Sequence, residues 1–336
     1  ISGFDRLAAL PGARKFHPAI VRRWTFSRGA RTIGEMTDLP LRFREELEKR
    51  YAVRGSRVVL RSDSEDGTSK LLLEFQDGQR IESVIIPEGD RTTLCVSTQV
   101  GCGIRCAFCA SGMSGLERNL SAGEIIEQFL VARELLPETG GRLTNLVLMG
   151  GGEPLNNFEA VRQALETLNH PDGVGFGARR ITLSTIGIPG KIDRLEELGR
   201  QINLAISLHA PNEKLRGRLI PGLDRVPLAD VLAAATRYFR RTGREITFEY
   251  VLLKGVNDSV ECAKELVALL RGVRCTVNLI PLNPVTETGF ERPDDAAVDR
   301  MASLLEQGGI KTTVRRSRGR DIDAACGQLR RRYQEP

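Results

Sequence analysis

The amino-acid sequence predicts an α/β protein: a partial TIM-type (β/α)6 barrel with a small N-terminal helical module and a short β-hairpin extension. Three observations predict it. From about Thr92 onward, short apolar and β-branched runs alternate with amphipathic helical segments in about six units. Before that point, residues 1–56 carry helical periodicity, and residues 57–91 carry short strands joined by Asp-Gly turns. The 336-residue chain, 41% hydrophobic and 27% charged, is also long enough to bury a large core.

In order along the chain, Phe16, Ile20, Val21 and Trp24 recur at helical spacing. A second helix over Leu41 to Tyr51 has Thr37, Asp38 and Pro40 as start signals. Strands are predicted at Val58 to Arg61, Leu71 to Phe75 and Ile81 to Ile86, with turns at Asp66-Gly67 and Asp77-Gly78. The barrel strands follow at Thr93 to Ser97, Leu143 to Met149, Ile181 to Ser184, Ile202 to Leu208, Ile246 to Leu253, Thr276 to Ile280 and Lys311 to Val314. Between them, Ser121 with Glu124 three residues on is a capping box. Further helices are predicted over Asn157 to Leu168, Lys191 to Leu198, Leu228 to Arg240, Asp258 to Leu270 and Asp294 to Gln307. The domain reading is therefore 1–56, 57–91, a barrel core over 92–329 and a basic tail at 330–336. In such a barrel the functional residues sit at the C-terminal ends of the strands.

No stretch reaches the roughly 18 apolar residues of a membrane span. The Arg-rich start lacks the apolar region of a secretory signal, so a cytoplasmic protein is expected. Because the first residue is Ile, native residues upstream are expected too. Lys and Arg outnumber Asp and Glu by 49 to 43, a net charge of +6 that suits a polyanionic partner. Arg14, Lys15, Arg22, Arg23, Arg28 and Arg31 crowd the start; Arg315, Arg316, Arg318, Arg320, Arg330, Arg331 and Arg332 crowd the end. Two such clusters would frame a groove for a phosphate backbone, or form solvated helical faces.

Seven cysteines without a secretion signal argue for a reducing compartment rather than a disulfide framework. Cys102, Cys106 and Cys109 stand as C-x3-C-x2-C in the loop after the first barrel strand. Three thiolates at this spacing can hold three corners of a cubic iron–sulfur cluster and leave the fourth iron open to chelate S-adenosylmethionine. The competing reading is a structural zinc site, for which Cys95 is the nearby fourth ligand. Cys262 and Cys275 read as core thiols.

The cysteine motif and the barrel together resemble the radical S-adenosylmethionine superfamily. Further segments narrow the resemblance to the RlmN/Cfr family of RNA adenine methyltransferases: Cys95-Val-Ser-Thr-Gln-Val-Gly-Cys102, Gly115 to Leu120, Gly152-Glu153-Pro154-Leu155, Leu183-Ser184-Thr185, Ile206-Ser207-Leu208-His209, Gly255 to Asp258, Asn278 to Pro281, and Asp321 to Leu329 around Cys326. Glu35 to Leu39 extends it into the N-terminal module.

That resemblance implies a [4Fe-4S] cluster on Cys102, Cys106 and Cys109, and two molecules of S-adenosylmethionine per turnover. One would methylate Cys326; the other would give a deoxyadenosyl radical that activates the new methyl group for addition to adenine. Cys95 would resolve the adduct, leaving a Cys95–Cys326 disulfide, and Glu82 would accept a proton. Gly152, Glu153, Ser184, Ser207, Leu208, His209 and Asn283 would hold S-adenosylmethionine. The implied target is C2 of an adenosine in 23S ribosomal RNA, with transfer RNA as a second substrate. C8 methylation is the close alternative and a zinc-stabilised, non-catalytic RNA-binding protein the distant one. An external electron donor and thiol reductant, no membrane and a monomeric state complete the expectation. Three places depart from the RlmN pattern: Met149-Gly-Gly-Gly-Glu153, Ile220-Pro-Gly-Leu-Asp224 and Leu282 before Asn283-Pro284. All three are expected near the substrate side.

Overall fold

The computed structural model describes residues 4, 6–136, 141–198, 201–223, 226–283, 285–315, 318 and 320–322. Cys326, Arg316 and Arg330 to Arg332 lie outside the described residues. The N-terminal segment begins with a 3-10 turn (Arg6–Ala9) and α1 (His17–Arg22), which runs on into a π-helical turn (Arg23–Arg28) ending at Gly29. Then comes α2 (Leu41–Glu48). Leu7, Val21, Ile33, Met36, Leu39, Phe43 and Leu47 bury one another in a cluster of their own. The predicted start signal before α2 is used differently: Pro40 is the N-cap without a side-chain cap bond, and Asp38 instead pairs with Arg23 and Arg28. Two cations outbid one backbone amide for that carboxylate.

Ten strands form one sheet. β1 (Ser56–Asp63), β2 (Ser69–Phe75), β3 (Arg80–Glu88) and β4 (Arg91–Cys95) run antiparallel in sequence order. Gly67 and Gly78 take the left-handed backbone that the Asp-Gly turns require. A separate ribbon, β5 (Gln99–Gly101) with β6 (Leu116–Asn119), follows. β7 (Asn145–Leu148), β8 (Ile181–Thr185), β9 (Asn203–Ser207), β10 (Ile246–Leu252), β11 (Cys275–Pro281) and β12 (Lys311–Val314) then continue from β4, all parallel. The order β1-β2-β3-β4-β7-β8-β9-β10-β11-β12 leaves β1 and β12 as edges, so the barrel is partial. The predicted hairpin strands are thus an antiparallel continuation of the barrel sheet.

That sheet is strongly curled. Arg315, just past β12, lies close enough to Cys95 on β4 for its charge to act on the thiol. Six strand steps in a flat sheet would hold them ~29 Å apart at ~4.8 Å per step. The outer layer comprises α3 (Ala110–Met113), α4 (Ala122–Leu135), α5 (Phe158–Asn169), α6 (Pro189–Arg194), α7 (Glu213–Leu219), α8 (Leu228–Thr242), α9 (Val260–Leu270) and α10 (Asp295–Gln307). The capping box at Ser121 is formed as predicted, with Oγ accepting from Glu124 N–H and the Glu124 carboxylate accepting from Ser121 N–H. Buried Glu127 of α4 accepts from the Gly55 and Ser56 amides and so ties the entrance of β1 to the barrel.

Candidate cluster and cofactor site

The loop carrying the three cysteines is closed at its base by the β5–β6 ribbon. Gly101, at φ 73°, lies so close to Gly115 that a Cβ would sit 2.0 Å from its carbonyl oxygen. Only glycine fits there. Cys102 N–H donates to that same oxygen at 2.8 Å, and Cys109 is the N-cap of α3. Outside contacts pin the loop: Ala107 N–H donates to Leu219 O at 2.9 Å, and Gly222 N–H donates to Ile104 O at 3.2 Å. Cys102, Cys106 and Cys109 pack against one apolar wall of Ile104, Phe108, Ile186, Leu219, Ile220 and Leu282, and all three are free thiols.

Burial raises Cys102 to about 11 and lifts Cys106 and Cys109 as well, and the charges of neighbouring cysteines add to the first two. Three thiolates in such a pocket need a cationic group between them, so the donor set fits an iron–sulfur cluster. A single structural metal is a poorer fit: among the described residues, no three His, Cys, Asp or Glu side chains are arranged to hold one ion.

Next to this loop, β7 ends in Gly150-Gly151-Gly152-Glu153. Gly152 has φ 102°, and a Cβ on it would lie 2.6 Å from Gln99. Close approach has a purpose here: Gly151 O accepts from Thr98 and Gln99 N–H, and Gly151 N–H donates to Ser97 Oγ at 2.8 Å. Gln99 Oε1 accepts from Glu153 N–H. The glycine loop is bolted to the segment that leads into the cysteines. Glu153 itself is buried, and its carboxylate accepts from Leu155 N–H, Thr185 Oγ1–H and Ile186 N–H at 2.7–3.0 Å. Burial raises its pKa, and these bonds counter the rise. Of about four acceptor positions, two join β7 to the end of β8 and one caps the turn at Pro154–Asn157, leaving one for a ligand.

Glu82 on β3 and Cys95 at the end of β4 are both buried and share the concave face, since Val84 pairs with Cys95 in register. Glu82 lies near enough to Cys95 and Cys109 for its charge to raise both thiols, and burial lifts Cys95 to about 11. A buried polar hub fixes this corner: Ser97 Oγ–H donates to Glu82 O, Gln128 Oε1 accepts from Ser97 N–H and Ser83 Oγ–H, and Gln128 Nε2–H donates to Ser97 O. Gln128 was invisible as a site residue, although one amide inside the apolar stretch Ile125 to Ala132 is the sequence signal for it. Cys95 is a free thiol here; Cys326, its implied partner, lies outside the described residues.

The remaining residues occupy the C-terminal strand ends: Ser184 on β8, Ser207 closing β9 with Leu208 and His209 just beyond, and Asn283 two residues past β11. Leu208 is fully buried, and its N–H donates to Glu249 O at 3.0 Å. His209 adopts φ 58°, accepts from Val251 N–H through Nδ1 at 3.1 Å and stands edge-on to Phe108 at 4.9 Å. Burial, with help from the Arg216 charge, holds it neutral with a pKa of about 3. It buttresses the cysteine loop. Asn257, fully buried, donates to His209 O and accepts from Leu253 N–H. The three departures from the family pattern all reach the surroundings of the cysteine loop. Gly151 abuts Ser97, Gly222 abuts Ile104, and Ile220 and Leu282 line the cysteine pocket, because loops from successive strand ends converge there.

An open α/β barrel with a C-x3-C-x2-C loop at its top defines a radical S-adenosylmethionine protein, and the sequence model of the Radical SAM superfamily matches residues 96–269. A radical SAM methyltransferase from Sphaerobacter thermophilus superposes with a TM-score of 0.93 at 47% identity, covering 97% of this chain and 95% of that one. The probable dual-specificity RNA methyltransferase RlmN of Rhodopirellula baltica is 46% identical over 95% of this chain and 86% of its own length. RlmN of Marinobacter nauticus is 45% identical over 95% and 87%. The chain belongs to the RlmN family of radical SAM methyltransferases. Its cofactors are those of that family, a [4Fe-4S] cluster and S-adenosylmethionine.

Proposed function

We propose that this protein methylates C2 of an adenosine in 23S ribosomal RNA, with transfer RNA as a second substrate, through a methyl group carried on Cys326. The observation that supports it most is the meeting of Glu82 and Cys95 beside the cysteine loop on one concave face, in a chain 46% identical to a relative named as a dual-specificity RNA methyltransferase. Cys102, Cys106 and Cys109 would hold the cluster, which supplies the one electron that splits S-adenosylmethionine and so opens a route to an unactivated ring carbon. Glu153 keeps one acceptor position for the ammonium of S-adenosylmethionine, and Gly152, Ser184, Ser207, Leu208, His209 and Asn283 line the strand ends where the rest would lie.

Cys326 would take its methyl by polar displacement, for which a thiolate suffices. Cys95, held as a thiol by burial, can release the product only if its proton has somewhere to go, and Glu82 is the carboxylate beside it. An external electron donor and thiol reductant restore the enzyme. We assign RNA contact to residues 1–56, which have their own small core, with 57–91 as the strand extension, 92–329 as the barrel core and 330–336 as a basic tail. A monomer in the cytoplasm fits this reading, and among the described residues no helix is long and apolar enough to cross a membrane. Mass spectrometry of digested RNA from cells with and without the gene tests the proposal. The expected result is 2-methyladenosine that depends on the gene; 8-methyladenosine without it would overturn the choice of carbon.

A further inference from the structure

Among the described residues, Arg216 is the largest side chain buried almost completely, with 1% of its surface exposed. It lies on α7, whose last carbonyl, Leu219 O, holds the Ala107 amide between Cys106 and Phe108. Its Nη2–H donates to Ile186 O at 2.6 Å and its Nη1–H to Val226 O at 3.3 Å, while Nε finds no partner. Two carbonyls could be satisfied by neutral donors. Burying a guanidinium for that purpose alone costs several kcal/mol. Among the described residues, no carboxylate comes within ion-pair distance of it; Glu213, the strongest charge acting on it, lies farther off.

The cysteine loop lies on the other side of it. After Glu213, Cys106 is the group whose charge, as a thiolate, acts on the guanidinium, and the guanidinium acts in turn on His209, which stands edge-on to Phe108. Ile186, whose carbonyl Arg216 grips, gives its N–H to Glu153 and packs on the wall around the three cysteines. One buried cation thus grips the residue that joins the cysteine wall to the Glu153 bridge, with no carboxylate at ion-pair distance among the described residues.

We propose that Arg216 is a positioning and charge-compensating residue for the iron–sulfur cluster. Its fixed positive charge offsets the negative charge of the thiolate-ligated cluster from behind the apolar wall. In doing so it holds the midpoint potential higher than the pocket would otherwise set and stabilises the loaded protein. The inference rests on the assignment of Cys102, Cys106 and Cys109 as ligands.

Anaerobically reconstituted wild type, Arg216→Lys, Arg216→Met and Cys106→Ala decide it, read by iron content, thermal unfolding and redox titration followed by electron paramagnetic resonance. Arg216→Met should load iron but titrate at a more negative potential, and Arg216→Lys, which keeps the charge, should return towards wild type. A wild-type potential in folded, loaded Arg216→Met would overturn the inference. If Arg216→Met does not fold, the lysine variant carries the test: a wild-type potential supports charge compensation, and a lower one overturns it. Full iron loading of Cys106→Ala would instead defeat the ligand assignment itself, a separable result.

Discussion

At His209 a left-handed backbone, a buried ring and an accepting Nδ1 combine so that only the neutral imidazole fits. Its folded pKa of about 3 lies below the ordinary 6.5, so between those values the unfolded chain binds a proton that the folded chain refuses. The contribution to stability is whole above 6.5 and is lost as the pH falls towards 3, at about 1.4 kcal/mol per pH unit. Thermal unfolding of wild type and His209→Gln across that window should show wild type losing stability relative to the variant on acidification; parallel curves would refute the assignment. The Ser207-Leu208-His209 triplet at a strand end is expected, by family resemblance, to contact S-adenosylmethionine. The bracing of Phe108 by His209 was not legible in the sequence, because the two lie about a hundred positions apart and meet only when successive strand ends converge.

Among elements, α4 shows how local chemistry and tertiary demand agree. Ser121→Ala removes one half of the capping box and should lower stability by about 1 kcal/mol, seen as a small fall in melting temperature with activity retained. A fall several times larger would mean that the cap also supports the Ser97–Gln128 hub. Strands β1–β4 and β7–β12 and the longer helices were readable from periodicity and turn residues, to within a few positions. The β5–β6 ribbon was not, because strands of three and four residues carry no period; Gly101 and Gly115 were the available hint. Helix α7 was hidden for a related reason: seven residues make only two turns, and the buried Arg216 adds a charge to the inward face beside Leu219.

For the molecule as a whole, the basic N-terminal cluster divides once folded. Arg23 and Arg28 pair with Asp38 and Arg31 with Glu134, whereas Arg14 and Lys15 stay exposed beside Phe16. RNA affinity should fall steeply with salt, and Arg14→Ala with Lys15→Ala should reduce the slope of log affinity against log salt by about one to two. An unchanged slope would place the RNA elsewhere. The order of strands, the capping box, the three-cysteine spacing and the family motifs were determined by the sequence alone, since each is a local pattern set by side-chain type and spacing. Tertiary structure decided the rest: that Glu82 and Cys95 share one face, that Glu153 bridges two strands through Thr185 and Ile186, and that Arg216 stands behind the wall around the cysteines. Those relations depend on how far the sheet curls, and curl is a sum over ten strands that no single segment encodes.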